Sequence, residues 1–186
     1  LGAYRVSGLV QRSPGAGVTR VRCGSVRAVD QLRVWIEHLV WQAGGGLAAP
    51  AQVVGWQRVS SPKEKEFPVG LRRFLFLPVP EARARVEELL EVYWRGMRSV
   101  LRLFPETSLA YAEARRKLGP GATVEGAALA AAAKKWSRAG DFGGPGEDED
   151  LHFRYCFREV AVLDEEFAAL AMAVFGPLLE HRREEP

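Results

Sequence analysis

The chain has 186 residues, of which 47% are hydrophobic and 10% aromatic, and its formal net charge at pH 7 is +3. This length allows one substantial core, and the apolar fraction excludes an intrinsically disordered chain. No apolar run approaches the roughly 20 residues of a membrane-spanning helix, and no signal-peptide pattern opens the sequence, so we expect neither a membrane protein nor a secreted one. Because the first residue is Leu1, we expect a fragment of a longer chain, folded as a single domain over residues 1–186.

The basic residues are concentrated in the first part of the chain. Residues 1–80 contain 11 Lys/Arg against 4 Asp/Glu, whereas residues 81–186 contain 15 against 19. Such a basic face fits contact with a phosphate backbone, and an ordinary solvated face is the alternative that stays open. The two cysteines, Cys23 and Cys156, form no CxxC pair, which predicts two reduced thiols in a cytosolic protein.

The first half of the chain predicts strands on both sides of one helix. Residues 3–11 and 18–24 are expected to form an antiparallel hairpin. The spacing of Leu32, Trp35 and Leu39 predicts a helix over 29–42 with Trp35 in the core.

A second hairpin is predicted over residues 51–59 and 70–77. The run from Phe74 to Leu77 is apolar without alternation, which indicates an inner strand of the sheet.

The second half of the chain is mostly helical by pattern. The apolar stripe of residues 81–98 predicts a helix that places Tyr93 in the core. Further segments complete the prediction, namely helices at 107–118, 124–137 and 163–180, and a segment of either type at 151–158. The order β-β-α-β-β followed by helices predicts an α/β fold with a mixed sheet flanked by helices.

Three segments near the start share the layout of a metal-dependent nuclease core. They are Gly8-Leu9-Val10-Gln11, Val21-Arg22-Cys23-Gly24-Ser25 and Gln31-Leu32-Arg33-Val34-Trp35. This layout resembles the RecB-family exonucleases of the PD-(D/E)XK class. That class has an Asp after Gly-x-(Ile/Val), then Asp-Tyr-Lys, then Gln-Leu-x-x-(Tyr/Trp). The resemblance implies a restriction-endonuclease-like fold, and Gln31 and Trp35 match its helix motif.

The metal-ligand places of that motif are degenerate in this chain. Gln11, Arg22 and Gly24 stand where the nucleases have Asp, Asp and Lys. Gln is a poor ligand for a hard cation, Arg repels a cation and Gly has no donor group. We therefore expect no catalytic residues, no metal and no cofactor.

Further segments carry a closer resemblance. Trp-x-Glu-His-Leu at residues 35–39 and Tyr-x-x-Gly-Met at 93–97 are followed by Phe104-Pro105-Glu106-Thr107-Ser108 and by Gly146-Glu147-Asp148-Glu149-Asp150. In this order they are similar to the C-terminal domain of RecC, the gamma subunit of exodeoxyribonuclease V (the RecBCD helicase–nuclease). The resemblance implies an inactive nuclease-like domain of a bacterial cytoplasmic complex that acts in double-strand-break repair and recombination. Implied partners are DNA at a duplex/single-strand junction and the RecB-type subunit, with the RecD-type subunit as a second candidate.

Five arginines are the candidate phosphate contacts, because the resemblance implies that the basic strand face lies where an active relative holds its DNA, and Arg72 and Arg73 rank after the other three. They are Arg12, Arg20, Arg22, Arg72 and Arg73. Two other functions stay open, a module that docks the RecB-type subunit and a working nuclease with acids at unexpected positions. For the acidic run 147–150 we expect a solvated loop or a helix cap rather than a metal site, and for His38 a hydrogen-bonded structural role.

Overall fold

The computed structural model describes residues 4–10, 17–58, 69–119, 122–137, 145–157 and 161–185. The chain divides into two compact units. Unit 1 comprises Leu1–Glu91 and Glu180–Pro186, and unit 2 comprises Val92–Leu179. The single domain expected over 1–186 stays a prediction.

Unit 1 contains a four-stranded mixed sheet. Its strands are β1 (Thr19–Val21), β2 (Ala51–Arg58), β3 (Val69–Phe76) and β4 (Arg182–Glu185), and they follow that order across the sheet. β1 pairs parallel with β2, whereas β2–β3 and β3–β4 are antiparallel. The predicted mixed sheet and the predicted second hairpin are therefore confirmed. The finer assignment to the restriction-endonuclease-like fold stays a prediction.

The first predicted hairpin is wrong in its pairing. Residues 4–10 form no regular element, and β1 pairs with β2 instead. The physical reason is the helix α1 (Ala28–Ala43) between β1 and β2, because two neighbouring strands joined by a crossover helix run parallel. The turn expected between the hairpin strands falls largely outside the described residues.

α1 covers the sheet of unit 1 and buries the face that the sequence pattern predicts. Trp35 and Leu39 are at most 1% exposed, and so are Val53, Phe74 and Phe76 on the strands. The helix lies within one residue of its predicted bounds at each end. β3 is an inner strand, as the Phe74–Leu77 run predicts.

β4 is an element that the sequence pattern does not predict. Its residues, Arg-Arg-Glu-Glu, have no apolar alternation and a low intrinsic preference for strands. It pairs in register with β3, from Phe76↔Arg182 to Arg73↔Glu185. Backbone pairing with the otherwise open edge of β3 therefore creates this strand.

The remaining described elements are helical. They are α2 (Ala82–Gly96), α3 (Pro105–Leu118), α4 (Ala122–Trp136), a 3-10 turn at Glu147–Glu149, α5 (Leu151–Cys156) and α6 (Glu165–His181). The predicted helices are confirmed, and the ambiguous segment at 151–158 is helical. Among the helices that the structure describes, none combines the length and apolar character that crossing a bilayer demands.

Unit 2 has its own apolar core. Phe104, Tyr111 and Phe167 are at most 2% exposed and pack with Ala128 and Ala132. The small side chains of α4 allow its backbone to approach α3 closely.

Two side chains on the predicted stripe of α2 and its flank are not buried. Tyr93 is 57% exposed and Met97 is 63% exposed, so the core position expected for Tyr93 is wrong. The helical pattern shows which side chains share a face, but it does not show whether another element covers that face.

Candidate nucleic-acid interface

An open cleft of about 500 Å³ lies between the edge strand β1 and helix α1. We call it the β1–α1 cleft. Its lining residues are Thr19, Arg20, Val21, Arg22, Cys23, Asp30, Arg33 and Val53. Three of these are arginines and one is an acid, so the cleft brings together cationic side chains from two elements. It includes two of the five predicted phosphate contacts, Arg20 and Arg22.

Strand geometry directs Arg20 into this cleft. Arg20 is the register partner of Val53, whose side chain is 1% exposed on the face covered by α1. Register partners share a face of the sheet, and successive residues alternate between the faces. Arg20 therefore faces α1, as does Arg22 two residues later, whose amide donates to the carbonyl of Val54 at 2.8 Å.

Gly55 on β2 lets the chain turn from β1 towards α1 at close range. A Cβ at this position would lie 2.5 Å from the carbonyl oxygen of Gly24 and 2.6 Å from Cγ2 of Val26. Only glycine allows this approach without displacing the segment. The contact fixes residues 24–26 against β2 and so places Arg22 beside the first turn of α1.

Arg20 forms a two-pronged ion pair with Glu37 of α1. Its Nε donates to Oε2 at 2.9 Å and its Nη2 to Oε1 at 2.5 Å. This hydrogen-bonded carboxylate raises the pKa of Arg20, against a smaller opposing effect of burial. The paired fork geometry is the strong form of an arginine–carboxylate contact, so it holds the guanidinium in one orientation.

Arg22 pairs with Asp30, which has a second task. Nη1 of Arg22 donates to Oδ1 at 3.0 Å, and Oδ2 accepts the backbone N–H of Arg27 at 2.9 Å. Asp30 thus satisfies a free donor at the start of α1 and also holds Arg22.

Arg33 is the cleft residue that sequence reasoning missed. It is exposed, lines the β1–α1 cleft and forms no ion pair with any residue in the described part of the chain. On α1 it lies three residues after Asp30 and four before Glu37, so all three share one helix face. That spacing is the signal that could have identified it.

Of the three positions predicted to be degenerate metal-ligand places, the structure describes only Arg22 and Gly24. Gln11 lies outside the described residues, as does Arg12. Arg22 and Gly24 lie side by side, since a Cβ on Gly24 would meet Nε of Arg22 at 3.5 Å. Within the described ranges, no group of three or more His, Cys, Asp or Glu side chains could hold a metal ion.

Arg72 and Arg73 lie on β3 and are not among the residues that line the cleft. Arg72 pairs with Glu184 at 2.8 Å and stacks over the Phe74 ring at 4.6 Å, and Arg73 pairs with Glu185 at 3.3 Å. As neighbours on a strand, they point to opposite faces of the sheet. Neither residue lines the β1–α1 cleft, so the structure does not bring them together with Arg20 and Arg22 there.

The motif residues Gln31 and Trp35 hold α1 against the sheet. Gln31 is 3% exposed, and its Oε1 accepts a hydrogen bond from Arg182 at 2.7 Å. The Trp35 ring lies 6.1 Å from the Phe76 ring, between centroids. Both residues hold α1 against the strands and so fix the position of the α1 side of the cleft.

His38 has the structural role that its place in the sequence predicts. It is fully buried, and its Nε2 lies 3.0 Å from the carbonyl oxygen of Leu77. Burial lowers the pKa of His38, and the nearby His181 acts in the same direction, against the carbonyl of Leu77. The buried imidazole therefore links α1 to the end of β3.

The acidic run of unit 2 serves as helix caps. The Glu147 carboxylate accepts the backbone N–H groups of Glu106 at 3.1 Å and Thr107 at 2.7 Å, at the start of α3. Burial raises the pKa of Glu147, although these two donors act in the opposite direction. Asp150 accepts the N–H of His152 at 2.9 Å and caps α5. The predicted helix-cap role is confirmed.

Both cysteines are exposed free thiols, as the sequence predicts. Together these features define a mixed α/β domain with an arginine-rich cleft at its edge strand. Residues 1–116 match the family described as the RecC C-terminal domain, and the chain belongs to that family. Residues 117–186 lie beyond the matched region. A search of curated proteins gives no significant match.

Proposed function

We propose that this chain is a non-catalytic DNA-binding and strand-guiding domain of a RecC-type subunit. Membership of the RecC family associates the chain with the RecBCD helicase–nuclease, exodeoxyribonuclease V, and with DNA repair. The proposal places it in the bacterial cytoplasm, in contact with DNA and with the RecB-type subunit. A RecD-type contact is a second candidate.

The observation that carries the proposal is the β1–α1 cleft with its three arginines. The cleft includes Arg22, next to Gly24, and the resemblance to RecB-family nucleases aligns these two positions with metal-binding residues. Guanidinium groups suit phosphate because they offer several N–H donors in a planar fork. Arg12, which precedes β1, stays a further candidate, as do Arg72 and Arg73.

The same two positions support the absence of cleavage. Gly24 has no side chain to supply a proton or a ligand, and Arg22 carries a positive charge where a divalent cation would sit. A phosphodiester could be held there without a group that activates water.

The proposal is tested by fluorescence anisotropy of a labelled DNA fork at increasing salt. We expect weak binding that falls steeply with salt and is equal for unrelated sequences, because phosphate contacts carry little sequence information. Replacing Arg20→Gln together with Arg22→Gln should weaken it for every sequence. No detectable binding of the wild-type chain at low salt would overturn the proposal.

A second candidate function is a module that docks the RecB-type subunit. It is favoured by the exposed apolar side chains Tyr93, Met97 and Val100, which are 57%, 63% and 60% exposed in unit 2. Exposed apolar groups close in sequence mark protein interfaces. Tyr93→Ser with Met97→Ser should weaken co-purification with the RecB-type subunit and leave DNA binding unchanged if both functions exist.

A further inference from the structure

The three arginines of the β1–α1 cleft differ in whether their N–H donors are already bound to a carboxylate. This difference indicates which arginine can contact a ligand directly. The inference rests on the proposed DNA-binding function. Two of the guanidinium groups are held by carboxylates of α1, and the third is not.

Arg20 is the least available of the three. Two of its nitrogens donate to Glu37, and the two side chains are only 32% and 17% exposed. A phosphate that took over these donors would leave Glu37 half-buried without its partner. Loss of one partner from a partly buried pair costs more than the pair contributes, so Glu37 competes well with an incoming phosphate.

Arg22 is restrained in a similar way. Its partner Asp30 is 19% exposed and also binds the backbone N–H of Arg27. If Asp30 moved outwards with the guanidinium, it would lose its hydrogen bond with the backbone N–H of Arg27 at the start of α1. Arg22 therefore remains at the wall of the cleft, where its charge acts on a ligand over a short distance.

Arg33 has no such restraint. It is exposed, it faces the same cleft from α1, and no described residue forms an ion pair with it. We propose that Arg33 makes the direct contact with a phosphodiester oxygen of the nucleic-acid backbone, and that Arg20 and Arg22 are positioning residues. Glu37 and Asp30 hold those two arginines and keep the cleft close to neutral. When no ligand is bound, the positive charge of Arg33 is therefore the one that remains unbalanced in the cleft.

The test compares two matched charge removals in the purified chain, Arg33→Gln and Arg83→Gln. Arg83 is an exposed arginine on α2 whose partner is Glu87 one turn away, so its loss changes the net charge equally. A labelled single strand of mixed sequence and a duplex serve as probes for anisotropy at several salt concentrations. Arg33→Gln should weaken binding on the order of fivefold at low salt and reduce the salt slope by about 1. Arg83→Gln should change neither quantity.

Arg33→Lys provides a further check, because it keeps the charge but loses the planar fork. We expect it to restore the salt slope and only part of the affinity. The inference is overturned if the wild type binds and Arg33→Gln binds equally well, while Arg20→Gln/Arg22→Gln still weakens binding. In that case the proposed function stands. If the wild-type chain shows no binding at low salt, the proposed function fails and the role of Arg33 fails with it.

Discussion

Arg22 and Asp30 form an ion pair in the lining of the β1–α1 cleft, with Nη1 and Oδ1 3.0 Å apart. The resemblance to RecB-family nucleases predicts a metal-binding Asp at the position of Arg22, and the partner of Arg22 is an acid from the next element, α1. If that alignment holds, the pair gives a neutral site where the nucleases have a negative charge. A similar pair joins Arg20 of β1 to Glu37, which lies seven residues after Asp30 on α1.

The two acids should weaken DNA binding in the wild type. Asp30→Asn with Glu37→Gln frees both arginines and removes two negative charges from the cleft. We expect affinity for DNA to rise by roughly tenfold at low salt, because released guanidinium groups then contact phosphate. Glu87→Gln with Glu88→Gln removes two paired acids from α2 and is the control. Equal affinity gains in both double variants, or a loss in the first, would contradict a role for the cleft.

A carboxylate at position 22 should create a weak metal site. Arg22→Asp sets a second acid beside Asp30, and two close carboxylates repel each other unless a cation lies between them. We expect a lower thermal midpoint than wild type and a gain of about 1.4 kcal/mol when Mn²⁺ is present at ten times its Kd. Arg22→Gln, which also breaks the pair, should gain nothing from Mn²⁺. If both variants respond equally to metal, positions 22 and 30 do not form a ligand pair.

Glu147 should stabilise unit 2 by capping α3. Its carboxylate accepts two backbone N–H groups of the first turn, which have no partners within the helix. Glu147→Ala should lower the free energy of unfolding by about 1 kcal/mol. Glu149→Ala, two residues away at an exposed position, should cost less than about 0.5 kcal/mol. Urea unfolding followed by circular dichroism measures both, and equal costs would show that the cap has no net effect.

His38 should make the fold sensitive to acid. Because burial lowers its folded-state pKa below the unfolded value of about 6.5, the folded state binds fewer protons than the unfolded chain. Stability is therefore lost as pH falls below about 6.5. His38→Gln removes this titration, so its free energy of unfolding should fall less between pH 7.5 and pH 5.5. An undiminished fall in the variant would assign the acid sensitivity to other groups.

The sequence predicts those elements whose pattern is local. The apolar spacing in α1 and the two runs that form β2 and β3 depend on neighbours in the chain, and these elements are confirmed within a few residues. The pairing of β1 could not be predicted in the same way. Residues 4–10 and 18–24 alternate well enough for a hairpin, but strand partners are decided by tertiary contacts, here through the crossover helix.

The residues of the candidate site also differ in whether a local sequence pattern indicates them. Strand alternation places Arg20 and Arg22 on one face, and helix spacing places Arg33 on the face of Asp30 and Glu37. The sequence does not show that Arg33 has no ion-pair partner among the described residues. Ion pairs such as Arg72 with Glu184 join residues far apart in the sequence, through a strand that only pairing creates. No pattern in the sequence shows which arginines are neutralised.

The most direct test of the account is one gel experiment with the wild-type chain and a labelled DNA fork in Mg²⁺, with a parallel sample in chelator. Half of each sample is run natively and half is denatured. We predict a shifted band that weakens as salt is raised, and strands of unchanged length in both samples. Shortened strands that appear only with Mg²⁺, and in proportion to the protein, would contradict the account, as would the absence of a shift at low salt.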